Sequence, residues 1–200
     1  MTELLVGIGA FTTFEEDLTG GPPDLVIRLG FAEQRLAAGD DAIAWRMLSR
    51  HPRDLQSLIG ELYRTDDAGQ RVAVDPDEIA EAIGRLRDRG LVIGVDPASA
   101  SLADLSLRVT AVPLYRAVIE GLQTSRGWPI GTATHTVIRL DDAQHALWME
   151  LDDARSVAHL AVARAVAAGA DPTSPDHASA WGECIDLVRA GAAYFDAAVS

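Results

Sequence analysis

The chain of 200 residues contains no lysine; all seventeen basic residues are arginine. That absence removes Schiff-base chemistry on lysine, a lysine general base and the lysine of a phosphate-binding loop. Cysteine is nearly as scarce, and Cys184 alone cannot form an intramolecular disulfide. No apolar run approaches the roughly 18 residues needed to span a bilayer. The start, MTELLVGIGA, lacks the basic leader of a signal peptide. A soluble cytoplasmic protein without a membrane partner is expected. Positive charge is also short: thirty acids against seventeen bases give a net charge of −13. Between Asp24 and Arg89 there are ten arginines against thirteen acids, with no basic run. Attraction to phosphate carries most nucleic-acid affinity, so nucleic acid is not expected as a partner.

Catalytic motifs are missing as well. No Gly-x-Ser-x-Gly elbow occurs. Leu4-Leu5-Val6-Gly7-Ile8-Gly9 begins like a dinucleotide fingerprint, but Thr12 stands where the third glycine belongs. None of the five histidines has a second histidine one helical turn away, as a metal site requires. His177 and Cys184 are seven apart on one expected helix, and two ligands do not complete a zinc site. The acids Glu150, Asp152 and Asp153 cluster between two expected helices, where Asp152 or Asp153 reads as a cap. No catalytic residue, metal or cofactor is expected.

What is present is helical periodicity. Between Asp40 and Asp96, Ile43, Met47 and Leu48 mark a first helix that Asp40 or Asp41 caps and His51-Pro52 ends. Leu55, Leu58, Ile59 and Leu62 lie at i, i+3, i+4 and i+7 and predict a second helix over 53–63. Asp66 to Gly69 reads as a turn. Asp75-Pro76-Asp77-Glu78 opens a third helix, with Ile79, Ala82, Ile83 and Leu86 on its apolar face. Gly90 stops it, and Leu91 to Val95 form a short strand.

Upstream, Glu3 to Phe14 is apolar and rich in strand formers. Leu25 to Leu29 and Phe31 to Leu36 read as two strands about Gly30. Strands, then Leu36, Asp40, Ala44, Trp45 and Leu48, then Asp54-Leu55-x-x-Leu58-Ile59-x-x-Leu62, then Val74-Asp75-x-x-Glu78-Ile79-x-x-Ala82-Ile83-x-x-Leu86-x-x-x-Gly90-Leu91-Val92 follow in order. This pattern, over residues 1 to 95, resembles the PqqD-like peptide chaperones, or precursor recognition elements, of the winged helix-turn-helix superfamily. Arg53-Asp54 replaces the family's acid-hydroxyl phrase at the second helix. The resemblance implies a partner that is a precursor peptide or a segment of a neighbouring biosynthetic enzyme.

Downstream, Pro97 to Ala103 reads as a small-residue linker. Leu105 to Tyr115 is strand or helix, Arg116 to Leu122 a short helix, Gly127 to Gly131 a tight loop and Thr134 to Leu140 a strand. Asp141-Asp142-Ala143 stands 101 positions after Asp40-Asp41-Ala42, and Trp148 and Leu151 stand 103 after Trp45 and Leu48. Val157 and Leu160 fall 102 after Leu55 and Leu58, and Leu187 and Gly191 fall 101 after Leu86 and Gly90. Helices over 141–151, 155–168 and 175–190 and a strand over 192–195 complete the second copy. The expected fold is mainly α: two tandem winged-helix-like units, each a small antiparallel sheet with three helices. The units are 1–97 and 104–200, joined by 98–103.

The expected function is non-catalytic recognition. An extended peptide or partner segment adds as a strand to the edge at Leu25–Leu29, against the third helix. Its contacts are Val26, Arg28, Phe31, Arg35, Glu78, Glu81 and Arg85. Trp45 and Trp148 belong to the core, whereas Trp128, in Gly-Trp-Pro, is placed on a contact surface. Two alternatives are a tandem winged-helix DNA-binding regulator, which the charge opposes, and a small enzyme with a cleft between the units.

Overall fold

The computed structural model describes residues 3–15, 22–65, 69–114, 117–118, 127–132 and 135–198. The chain divides into two compact units after Asp96. Among the described residues, no helix is long and apolar enough to cross a membrane.

The first unit opens with β1 (Leu4–Gly7) and β2 (Ala10–Glu15), then β3 (Asp24–Leu29) and β4 (Ala32–Leu36). The helices are α1 (Asp40–Arg50), α2 (Leu55–Glu61) and α3 (Pro76–Asp88). A hairpin of β5 (Tyr63–Thr65) and β6 (Arg71–Ala73) separates α2 from α3, and β7 (Val92–Val95) follows. β2, β3 and β4 form one antiparallel sheet, while β7 returns to pair with β1. The one expected strand over Glu3–Phe14 is thus two strands in two sheets. The break is at Gly9, whose φ of 98° turns the chain; a side chain there would meet the Ile27 side chain and the Arg28 carbonyl.

Leu25, Ile27 and Leu36 of the sheet, Trp45 and Leu48 of α1, Leu58 of α2 and Ile79, Ile83 and Leu86 of α3 share one core. The buried face of α1 is Ala42, Ala44, Trp45 and Leu48. Ile43, read from the sequence as apolar-facing, is exposed. Neither Asp40 nor Asp41 caps α1: the cap position is Gly39, and both acids lie in the first turn. Asp54 caps α2 by accepting from the Ser57 amide at 2.9 Å, which also holds its carboxyl below the usual range. Asp75 caps α3, accepting from the Asp77 amide at 2.9 Å.

The second unit begins with α4 (Leu102–Arg108) and β8 (Val109–Pro113). β9 (Ala117–Val118), β10 (Trp128–Thr132) and β11 (His135–Leu140) form its sheet. α5 (Asp142–Glu150), α6 (Val157–Ala167), α7 (His177–Arg189) and β12 (Ala193–Ala197) complete it. β12 pairs with β8, as β7 pairs with β1. The two units therefore share an order: a strand, a three-stranded meander, three helices, and a strand that returns to the first. They also share a helix end. Leu91 N–H donates to Leu86 and Gly90 N–H to Arg87 after α3, and Ala192 donates to Leu187 and Gly191 to Val188 after α7. Both are the paired bonds of a glycine-closed helix end.

The expected fold class is overturned. Among the described residues the fold is mixed α/β, 42% helix and 31% strand, rather than mainly α. Among the described residues the second unit has four helices, and neither unit is three helices on a single small sheet. Three local features explain the error. The hairpin β5–β6 has three residues per strand, all exposed, so no alternation marks it. α4 starts inside the expected linker. The expected tight loop at Gly127–Gly131 is mostly β10, in which Pro129 lies opposite Arg139. Of the expected helix over Arg116–Leu122, Ala117 and Val118 are strand and the rest lies outside the described residues. The expected turn residues Asp66, Asp67 and Ala68 also lie outside them.

Candidate functional site

The sheet β2–β3–β4 has β3 at its centre, paired along its length to β2 on one side and β4 on the other. Leu25–Leu29 is therefore not a docking edge. Its apolar residues belong to the core from the middle of the sheet, and Val26 is buried. A central strand and a half-covered edge strand share the same short apolar run, so the sequence did not distinguish them. The edges of this sheet are β2 and β4.

The two edges differ. β4 is regular: Leu25↔Leu36 through Leu29↔Ala32 follow without a shift. β2 is bulged between Phe11 and Thr13, and Thr12 Oγ1 donates to the Val26 carbonyl at 3.0 Å. A bulge spoils an edge for ordinary strand pairing, whereas a regular edge accepts it. The β3–β4 turn has two residues, Gly30 and Phe31, with Gly30 at φ 58°. A two-residue turn makes Leu29–Ala32 a hydrogen-bonded pair, and alternation makes Ile27–Gln34 and Leu25–Leu36 the next ones. The main-chain groups of Glu33 and Arg35 consequently face outward.

Helix α3 flanks that edge through its last residues. Arg89 Nη2 donates to the Arg35 carbonyl at 2.6 Å, and Arg89 Nε donates to Gln34 Oε1 at 3.3 Å. Gln34 Nε2 donates in return to the Arg89 carbonyl at 3.1 Å. A guanidinium thus occupies the acceptor that an added strand would use. Sequence reading missed both Arg89 and Gln34. An arginine at the end of a helix suits the helix dipole, and nothing local in the sequence pairs it with a strand more than fifty residues away.

The other expected contacts fall around this edge with different roles. Phe31, at the turn tip, is 92% exposed. Arg35 reaches Glu15 across the sheet at 2.9 Å. Arg28 lies exposed on β3 opposite Ala10 and Glu33. Glu78 is held by Arg64 at 2.8 Å, and Arg64 also pairs with Asp40. Arg85 pairs with Asp41 at 2.7 Å and lies 3.8 Å from Glu81. Glu78, Arg85 and their partners therefore tie α3 and β5 to the start of α1, and Glu81 is the more exposed flank.

The remaining candidates are accounted for locally. Trp45 is buried, and its Nε1 donates to the Ile8 carbonyl at 2.9 Å. Trp148 is buried in the second unit. Trp128 is no open contact: its ring stacks on His145 at 4.1 Å, and its Nε1 donates to Asp142 at 2.8 Å. Burial pushes the Cys184 thiol up to about 12, which leaves it inert as a nucleophile at neutral pH. A cavity of about 290 Å³ in the second unit is lined by Glu150, Asp153, His159 and Arg164. Arg164 lies 3.1 Å from Glu150 and 3.5 Å from Glu183, and His159 Nδ1 accepts from the Arg155 amide. Among the described residues, no three acidic, histidine or cysteine side chains converge to hold a metal ion. No family model, no curated protein and no solved structure matches this chain.

Proposed function

We propose that the first unit is a recognition module that takes an extended segment of a peptide or partner protein as a fourth strand on β4. The observation that carries this reading is the regular edge of β4, with Glu33 and Arg35 turned outward and α3 alongside. Main-chain hydrogen bonds supply affinity in this mode, and side-chain contacts on alternate residues supply selectivity. On docking, Arg89 leaves the Arg35 carbonyl and becomes available to an acidic side chain of the incoming segment. Arg89 is the cation that this edge releases, which favours an acidic side chain in the incoming segment. The resemblance of residues 1 to 95 to precursor-peptide recognition elements supports the same partner class: a precursor peptide or a segment of an enzyme that modifies one.

The test uses extended peptides selected against the full chain from a displayed random library. Glu33→Pro removes an outward donor and leaves the β3 ladder intact, a substitution that edge strands tolerate. Selected peptides should be acidic, and Glu33→Pro should weaken them at least about tenfold, the equivalent of one well-formed hydrogen bond to a charged or buried group. Circular dichroism checks that the variant is folded. Peptides that bind wild type and folded Glu33→Pro equally would place recognition elsewhere.

A further inference from the structure

The bulged strand β2 has a different and more restrictive complement. The alternation that turns Ile27 and Leu25 toward β4 turns Arg28, Val26 and Asp24 toward β2. Phe11 and Phe14, which lie opposite Ile27 and Leu25, therefore direct their own N–H and C=O groups to the outer edge. The bulge puts these outward residues three apart in sequence, whereas a regular strand presents its outward residues two apart. A regular peptide cannot match that spacing. A strand carrying the same bulge can.

The sequence of the strand is itself symmetric: Phe11-Thr12-Thr13-Phe14 reads the same in both directions. Run antiparallel to a second copy about a dyad between Thr12 and Thr13, it brings Phe11 opposite Phe14 of the other copy and Phe14 opposite Phe11. The outward groups of each copy then meet those of the other. The side chains suit this arrangement. Both rings are on the core face of the sheet, yet each remains 49% exposed, and they contact one another at 5.1 Å between centroids. Arg46 of α1 lies over the Phe14 ring at 5.7 Å. Glu15, the charged residue of the strand, pairs with Arg35 and falls opposite Ala10 in this register, so no like charges are opposed.

We infer that β2 is a self-association edge: two copies of this chain pair through Phe11–Phe14 about a two-fold axis, joining their three-stranded sheets into one. The interface is isologous, and its closure consumes the edge that would otherwise recruit further chains. It is independent of the peptide edge, because β4 lies on the far side of the sheet.

Light scattering on the full chain during size-exclusion chromatography tests this. Wild type should run at twice the 21.3 kDa chain mass. F11E/F14E and F11R/F14R should each run at the mass of one chain, because the dyad opposes like charges. An equimolar mixture of the two should recover the doubled mass, because the same register then opposes unlike charges. A wild-type mass of one chain up to sub-millimolar concentration overturns the proposal. So does a dimer that survives both double variants, or a mixture that stays monomeric while both variants are folded by circular dichroism. If a variant fails to fold, hydrogen exchange on wild type decides: the Phe11 and Phe14 amides should exchange slowly and speed up on dilution, and concentration-independent exchange refutes the pairing.

Discussion

Trp45→Phe isolates what one buried indole does for the first unit. Trp45 is 1% exposed, and its Nε1 is the donor that the structure gives to the buried carbonyl of Ile8. That carbonyl stands at the junction of β1 and β2, so the bond fixes where the bulged strand leaves the core. Phenylalanine keeps the apolar ring but cannot donate. A buried carbonyl left without a partner costs about 1–3 kcal/mol. The smaller ring leaves a void that adds about 1 kcal/mol. The expected loss is therefore about 2–4 kcal/mol, which for a unit of this size lowers Tm by roughly 10–20 °C. Trp181 is the control. It is equally buried, and its Nε1 donates at 2.9 Å to Ser106 Oγ, whose own hydrogen already goes to the Leu102 carbonyl at 2.6 Å. Trp181→Phe leaves that hydroxyl with a partner, so its loss should be smaller, about 1–2 kcal/mol. Urea unfolding followed by far-UV circular dichroism measures both against wild type. Equal losses in the two variants, or a neutral Trp45→Phe, would refute the assignment of the difference to the Ile8 carbonyl.

Two further outcomes follow from the second unit. Cys184 is buried, and its thiol is pushed up to about 12, so reaction with an aromatic disulfide reagent at pH 8 should proceed only as fast as the unit opens; rapid native-state labelling would contradict this. His145 is held below its ordinary 6.5 by burial against Trp128, with Asp142 opposing. The folded form therefore binds fewer protons than the unfolded form at mildly acidic pH. Stability should fall as pH drops below 6.5 and level off beneath the lowered folded value, and His145→Gln should flatten that part of the urea-midpoint profile.

The sequence determined the parts of this protein that depend on neighbours along the chain. The faces of α3, its Asp75 cap and its Gly90 stop were legible because apolar spacing, capping and the glycine all act within one or two turns. The same holds for the apolar spacing of α2, although Asp54, expected inside that helix, is its cap, and for the end of α7 at Gly191. The shared order of the two units also shows in offsets near 101 to 103, because it is carried by those same local signals. The lack of lysine, of a metal-ligand pair and of a nucleophile motif bounded the chemistry in the same way.

The tertiary structure decided which strand lies beside which. β3 reads as an edge because its run of apolar residues is as short as an edge strand's, but only the pairing of both its sides reveals that it is central. The three-residue strands β5 and β6 carry no pattern of their own and exist through each other. Ile43 has helical spacing with its neighbours yet faces outward, since the direction of α1 is set by Trp45 reaching Ile8. The Arg89 contact with Arg35 and the outward turn of Phe11 and Phe14 are also products of pairing. Backbone hydrogen bonds between strands join residues far apart in the chain, and no local propensity encodes which of a strand's two edges will be filled.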